Sequence, residues 1–216
     1  MRLSAVILAG GQSQRMGRDK AWLDYCGKPL IQVGLEKISQ LGVEEIFISG
    51  RPGQDYSRFG CRVLTDLQPG LGPVSGIERA LREAASPLVL VMPVDVPQMT
   101  TEFLRMLARH CDRFTGAVPT HQGKIEPLVA IYPKRCHVYA VLSLAKADYV
   151  AHHFTAACLR EHAVRLLGVR AKDAACLKNC NTLEDLEALD MGGDPSCWMH
   201  SEPGALPPAL ANRRRD

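Results

Sequence analysis

The sequence predicts an α/β protein with an open, mostly parallel, doubly wound sheet covered by helices on both faces. Short apolar runs, typical of strands buried on both faces, alternate along the chain with segments of helical periodicity. The first run, residues 3–8, leads directly into a glycine-rich loop. Strands that alternate with helices imply crossover connections, so we expect the ligand site at the carboxyl ends of the strands.

The elements of the first half follow from apolar periodicity. The predicted strands are residues 3–8, 46–49, 62–64, 88–94 and 116–118. A first helix is predicted by the spacing of Leu30, Val33, Gly34, Lys37, Ile38 and Leu41 before Gly42. Residues 77–85 form a second helix after a Gly/Pro segment, and Thr100 or Thr101 caps a third that ends near His110.

The pattern is less regular after Val118. It predicts a strand at 128–132 and helices at 134–144, 155–162 and 183–189, the last capped by Asn181 or Thr182. From residue 192 onward Gly, Pro and Ser replace the aliphatic residues. Such a composition buries too little apolar surface to order itself. We therefore expect one domain over residues 1–190 and a flexible tail over 191–216.

Composition excludes several classes of protein. The hydrophobic fraction of 46% and charged fraction of 23% are ordinary for a globular protein, and no apolar run is long enough to span a bilayer. The first residues do not resemble a signal peptide, so we expect a cytoplasmic protein. The net charge of +3 is too small to indicate nucleic-acid or membrane binding. Any anion-binding site must therefore be formed by a few residues in one place rather than by the overall charge of the protein.

The eight cysteines are spread along the chain without the paired spacings of a zinc ribbon or a small disulfide scaffold. One conceivable metal cluster combines Cys176 and Cys180 with His152, His153, Cys158 and His162. These spacings match no closed zinc motif. Reduced, structural thiols are the favoured interpretation.

The strongest chemical signal is the segment from Leu8 to Lys20. Gly10 and Gly11 permit positive φ and a close approach of backbone N–H groups to phosphate, while Arg15 and Lys20 add positive charge. The segment lacks both the Gly-Lys-Ser/Thr ending of a P-loop and the G-x-G-x-x-G of a dinucleotide fold. A phosphate cradle is favoured over the alternative, a glycine turn flanked by solvated basic residues.

Asp95 is the second signal, because it follows the apolar strand 88–94 at the predicted carboxyl edge. Magnesium prefers oxygen ligands and often binds through one or two carboxylates plus substrate phosphates. Asp95 is therefore the predicted Mg²⁺ ligand, and a solvated strand-end carboxylate is the alternative. Catalysis is predicted to depend on Lys20, Arg15 and Asp95.

Three segments together resemble the molybdenum cofactor guanylyltransferase family. They are the loop from Leu8 to Lys20, Gly27-Lys28-Pro29-Leu30, and Pro93-Val94-Asp95-Val96-Pro97. The resemblance covers roughly residues 3–190. It implies a Rossmann-like sheet of the nucleotide-diphospho-sugar transferase type. It also implies a Mg²⁺-dependent enzyme that transfers GMP from GTP to molybdopterin, forming the guanine dinucleotide cofactor and releasing pyrophosphate.

The resemblance also implies site residues. Nucleotide contacts fall on Leu8, Ala9, Gly10, Gly11, Lys20, Ser49, Asp66 and Asp95, and acceptor contacts on Asn179, Asn181 and Glu126. Some family members carry Asn where this chain has Ser49. Simpler explanations stand beside three of these assignments: Asp66 begins a turn, Asn181 caps a helix, and Glu126 precedes a proline.

Other functions stay open on the sequence. Within the same chemistry they are cytidylyl transfer to the same cofactor and nucleotidyl transfer to a sugar phosphate. A nucleotide-binding adaptor that delivers cofactor without turnover is a non-enzymatic alternative. The small-molecule partners implied are GTP and molybdopterin, and the resemblance also leaves room for transient contact with molybdoenzymes or cofactor-delivery proteins.

Overall fold

The computed structural model describes residues 2–10, 19–65 and 71–191, apart from the side chains of Leu183, Asp190 and Met191. The strands are β1 Leu3–Leu8, β2 Asp24–Tyr25, β3 Lys28–Pro29, β4 Glu45–Gly50, β5 Arg62–Thr65, β6 Leu88–Pro93, β7 Gly116–His121, β8 Lys124–Ile125, β9 Ala130–Pro133 and β10 Val164–Gly168. The α-helices are α1 Leu30–Ser39, α2 Gly72–Glu83, α3 Thr101–Arg109, α4 His137–Ala145, α5 Ala151–Arg160 and α6 Leu183–Met191. Short 3₁₀ turns cover Lys20–Trp22, Ser57–Phe59, Lys134–Cys136 and Ala171–Leu177.

The main sheet has the order β10-β7-β9-β6-β1-β4-β5, and β8 pairs with β7. Strand β1 lies in the middle and runs parallel to β4 and β6. Strand β9 runs antiparallel between β6 and β7. The predicted open, mostly parallel sheet is confirmed, and β1, β4 and β6 all point their carboxyl ends at the same edge.

Helices cover both faces of the sheet, as predicted. On one face α1 and α3 enclose a core with Ile7, Ile48 and Leu90. On the other, α2, α4 and α5 pack over Val6, Phe47 and Val91. Residues adjacent in sequence, such as Val6 and Ile7, thus lie on opposite faces, as the two-residue periodicity of a β-strand requires. Because both faces are buried, the strands are continuous apolar runs.

Some predicted boundaries were wrong. Helix α2 begins at Gly72 rather than at residue 77, because a proline in the first helical turn, here Pro73, loses no hydrogen bond. Helix α5 begins at Ala151 rather than at residue 155. Thr100 caps α3 as predicted, since its hydroxyl accepts from the N–H of Phe103 at 3.1 Å. Strand β10 was not predicted.

The thiols do not form the imagined metal cluster. Cys176 belongs to the core of the α1 face and Cys158 to that of the α2 face, on opposite sides of the sheet. Throughout residues 2–10, 19–65 and 71–191, no three His, Cys, Asp or Glu residues are grouped to hold a metal ion. Cys61, Cys111, Cys136, Cys158, Cys176 and Cys180 are free thiols, whereas Cys26 is in a disulfide that the sequence spacing did not reveal.

Among the helices described here, none has the length and apolar character needed to cross a membrane.

Candidate active site

The backbone at the end of β1 is hydrogen-bonded to β4 on one side and to the residue after β6 on the other. The N–H of Ala9 donates to the carbonyl of Ser49 at 2.8 Å, and the N–H of Val94 donates to the carbonyl of Leu8 at 3.1 Å. These bonds continue the sheet pairing past the strand ends. They hold the start of the glycine-rich loop, the end of β4 and the approach to Asp95 at one edge.

Lys20 and Asp95 meet at this edge. The Lys20 ammonium donates to Asp95 Oδ2 at 2.9 Å, to Asn181 Oδ1 at 3.0 Å and to the Cys180 carbonyl at 3.2 Å. The Lys20 and Asp95 side chains are only 19% and 18% exposed. An ammonium has three N–H donors, so all of them are engaged. Of the predicted site residues, the structure thus brings together Lys20, Asp95 and Asn181.

Local backbone geometry places Lys20 there. Lys20 opens the 3₁₀ turn Lys20–Trp22, and Asp19 caps this turn by accepting from the N–H of Ala21 at 3.1 Å. Ala21 is fully buried and anchors the turn in the core. The lysine therefore leaves a fixed turn rather than a free loop.

The segment before α6 closes the site from the other side. The N–H of Cys180 donates to the carbonyl of Asp95 at 2.8 Å. Thr182 is the residue that caps α6, because its hydroxyl accepts from the N–H of Asp185 at 3.0 Å. The alternative that Asn181 serves as the cap is therefore wrong. Its side chain is instead bonded to Lys20.

A cavity of about 320 Å³ lies beside this cluster, and its lining includes both Glu126 and Asn179. Pro93, two residues before Asp95, forms part of the same wall. Burial raises the pKa of the Glu126 carboxyl, while electrostatic interactions with His152 and Lys124 oppose that rise. Two of the three predicted acceptor contacts thus share one cavity, and the third, Asn181, binds Lys20.

Sequence reasoning missed the far wall of the cavity. Tyr149, which precedes α5, and His152, in the first turn of α5, line it together with Pro73 from α2. The wall is closely packed at Gly72, where φ is +65° and an added Cβ would lie 3.1 Å from the Tyr149 carbonyl. The Gly-Pro pair at 72–73 was the available signal, since only glycine adopts this conformation without strain.

Ser49 lies at the predicted edge, but its side chain is covered by α2. It is 5% exposed, and a Cβ added at Gly76 would lie 2.5 Å from its hydroxyl. Gly76 therefore lets α2 approach the end of β4. The structure does not gather the Ser49 side chain with Lys20 and Asp95.

Gly10 does not use the positive φ that glycine permits, because its backbone is not in the left-handed conformation. A Cβ added there would make only ordinary contacts, with the nearest atom at 3.7 Å. Its backbone lies exposed directly after β1. The predicted site residues Gly11, Arg15 and Asp66 lie outside the described residues.

Comparison with known proteins identifies the family of this chain. The family model described as MobA-like NTP transferase domain matches residues 5–164. The chain belongs to the MobA-like NTP transferase family. Proteins named probable molybdenum cofactor guanylyltransferase share 33% identity in Opitutus terrae, over 85% of this chain and 92% of that protein, and 31% in Nostoc sp., over 90% and 96%.

Solved structures of related proteins share the fold. Molybdopterin-guanine dinucleotide biosynthesis protein A from Archaeoglobus fulgidus superposes with a TM-score of 0.71 at 25% identity, covering 87% of this chain and 97% of that one. A nucleotidyl transferase from Methanothermobacter also gives 0.71, at 20% identity, over 88% and 97%. The predicted nucleotide-diphospho-sugar transferase type of sheet is confirmed.

Proposed function

We propose that this MobA-like chain is a molybdenum cofactor guanylyltransferase, which transfers GMP from GTP to molybdopterin and releases pyrophosphate. The observation that carries the proposal is the contact of Lys20 with both Asp95 and Asn181 beside a cavity that contains Glu126 and Asn179. A cation and a carboxylate for nucleotide chemistry therefore adjoin a separate space for a second substrate. The names of the relatives support the choice of donor and acceptor.

In this proposal the nucleotide lies over the carboxyl ends of β1 and β4. Backbone N–H groups of the loop at Gly10 and Gly11 approach the phosphates, with Leu8, Ala9 and Asp66 as further nucleotide contacts. Ser49, whose side chain is covered by α2, contributes only its backbone. Arg15 and Lys20 supply positive charge. The exposed backbone at Gly10 supports the placement, because phosphate is commonly bound by main-chain amides.

Asp95 fits a magnesium ion. Its carboxylate lies at the edge beside the proposed phosphates, and only Oδ2 is bonded to a described residue, namely Lys20. A single protein carboxylate together with substrate phosphates is a common way of binding Mg²⁺. When bound, the ion would neutralise charge on the phosphates.

The cavity is the proposed acceptor site. Its volume of about 320 Å³ falls at the lower end of the range of small-molecule pockets. Its lining combines the apolar side chains of Leu128 and Val129 with the polar groups of Asn179 and Glu126. This mixture suits a flat heterocycle with hydrogen-bonding edges, such as a pterin, and supports Asn179 and Glu126 as acceptor contacts.

The reaction needs alignment more than proton transfer. A phosphate oxygen of the acceptor forms a bond to the α-phosphorus of GTP as the bond from that phosphorus to pyrophosphate breaks. The attacking oxygen is already an anion, so no general base is required. The Lys20 ammonium has all three donors engaged, so it must exchange at least one acceptor for a phosphate oxygen. It would then stabilise the charge that builds on departing pyrophosphate.

The same geometry is compatible with cytidylyl transfer, but the relatives named for guanylyl transfer favour GTP. A cytoplasmic location and transient contacts with molybdoenzymes or cofactor-delivery proteins are further parts of the proposal.

The test uses site variants of the purified protein. We expect Lys20→Met to lower kcat by about 10²–10³-fold, the usual effect of removing one group that stabilises transition-state charge. Asp95→Ala should abolish turnover. Glu102→Ala, which removes a carboxylate that is 81% exposed on α3, is the matched control and should leave activity unchanged. A folded Asp95→Ala protein with near-normal activity would contradict the metal assignment.

A further inference from the structure

Asp185 holds the segment that borders both halves of the site. Its Oδ2 oxygen accepts from the N–H of Asn181 at 2.9 Å and from the N–H of Thr182 at 3.0 Å. These two N–H groups lower the pKa of the Asp185 carboxyl, so the acceptor is a carboxylate at neutral pH. The backbone of the segment is thereby fixed at its C-terminal end.

The same short segment faces the Lys20 cluster and the cavity. The Cys180 carbonyl and Asn181 Oδ1 supply two of the three acceptors of the Lys20 ammonium. Asn179 lines the cavity. A shift of the backbone at Asn181 would therefore change the position of Lys20 and the wall of the cavity together.

We propose that Asp185 is a positioning residue, which holds residues 179–181 in the conformation that keeps Lys20 beside Asp95 and Asn179 in the cavity wall. The inference rests on the proposed function for what Lys20 and the cavity bind. The effect of Asp185 on the position of Lys20 does not require a bound substrate, so it can be measured in the protein alone. Asp185 acts through Asn181 and is not a catalytic residue.

A purely structural role is the competing explanation, because the bond from the Asp185 N–H to the Thr182 hydroxyl caps α6. Substitutions can distinguish the capping role from the positioning role. Thr182→Ala removes the hydroxyl cap but leaves the Asp185 carboxylate on the Asn181 N–H. Asp185→Ala removes that carboxylate, and Asp185→Asn retains an oxygen that can accept from the same N–H groups.

The first experiment measures the accessibility of the Lys20 amine without nucleotide. The full-length proteins are treated briefly with acetic anhydride, and acetylation of Lys20 is quantified by peptide mass spectrometry relative to Lys172. Lys172 is exposed, and no described residue makes a hydrogen bond or ion pair with its ammonium, so it reports intrinsic reactivity. Circular dichroism checks that each variant is folded.

We expect Asp185→Ala to raise the relative labelling of Lys20 several-fold, and Thr182→Ala and Asp185→Asn to leave it near the wild-type value. If Lys20 labelling increased equally in Asp185→Ala and Thr182→Ala, Asp185 would act only by capping α6, and the proposal would be overturned. An unchanged value in Asp185→Ala would overturn it as well.

A second experiment separates this inference from the proposed function. GTP should protect Lys20 of the wild-type protein from acetylation, and absence of protection would count against the proposed function alone. In turnover, Asp185→Ala should lower kcat and raise the KM for the acceptor, with recovery in Asp185→Asn. Recovery of stability without recovery of kcat in Asp185→Asn would contradict the positioning role.

Discussion

The phenol of Tyr132 is bonded to Pro127, a residue of the cavity lining, and the effect of removing its hydroxyl can be calculated. Tyr132 is fully buried on β9, and its hydroxyl donates to the carbonyl of Pro127 at 2.8 Å. The Thr155 hydroxyl on α5 lies 2.8 Å from the same oxygen. A phenol has one proton to donate, so Thr155 is the donor in this second bond.

Tyr132→Phe removes both bonds and leaves the Pro127 carbonyl and the Thr155 hydroxyl buried without this partner. At about 1 kcal/mol for each neutral hydrogen bond, we expect a loss of about 2 kcal/mol in the free energy of unfolding. For a chain of this size that corresponds to a fall in Tm of about 4–8 °C. Reversible urea unfolding followed by circular dichroism measures the free energy.

The matched control is Tyr139→Phe, since no described residue bonds to the hydroxyl of Tyr139. In a double-mutant cycle, Thr155→Val combined with Tyr132→Phe should cost about 1 kcal/mol less than the sum of the single changes, because the two share a bond. Pro127 adjoins Glu126 in the cavity wall, so the KM for the acceptor should rise while the KM for GTP stays constant. A Tyr132→Phe protein as stable as the Tyr139→Phe control would refute this reasoning.

Two further predictions concern stability. Gly116→Ala would place a Cβ in steric clash with the Ile131 carbonyl and should cost at least about 3 kcal/mol, whereas Gly168→Ala, with no atom within 4 Å, should stay within about 0.5 kcal/mol in the same urea assay. Burial lowers the pKa of Lys37 to about 8, so the unfolded chain binds more protons above that pH. The stability of the wild type relative to Lys37→Met should therefore rise between pH 8 and pH 10.5, and a constant or falling difference would contradict the shift.

The sequence predicted the centre of the sheet and the position of Asp95 at its carboxyl edge. Strands β1 and β6 are buried on both faces, so their apolar runs are unbroken and their ends are easy to read. Once the carboxyl ends are assigned to one edge, topology brings the loop after β1 close to the residue after β6. The edge position of Asp95 could therefore be predicted from the pattern alone, whereas the direct bond between its carboxylate and Lys20 became evident only from the structure.

The periphery of the sheet was harder to predict. In β10 the side chains of Arg165 and Leu166 are exposed, so this edge strand has no continuous apolar run. The reversal before β9 depends on a tight turn at Gln122 and Gly123, both with positive φ. The Gln-Gly pair is a weaker hairpin signal than Asn-Gly, because glutamine seldom adopts positive φ.

The side-chain contacts of the site depend on tertiary structure. Asn181 lies 161 residues from Lys20 in the chain, and no local pattern relates them. The Thr182-x-x-Asp185 spacing does resemble a capping box and could have identified Thr182 as the cap. Ser49 illustrates the remaining difficulty, since its position at a strand end does not tell which face of the sheet its side chain takes.

The most direct test of the account measures pyrophosphate release by the purified protein with Mg²⁺ and molybdenum-loaded molybdopterin. GTP, CTP, ATP and UTP are offered separately, and the product is identified by its mass. The account predicts release with GTP, dependent on the acceptor and accompanied by the guanine dinucleotide cofactor. Release with CTP alone, or tight GTP binding with no release, would contradict it.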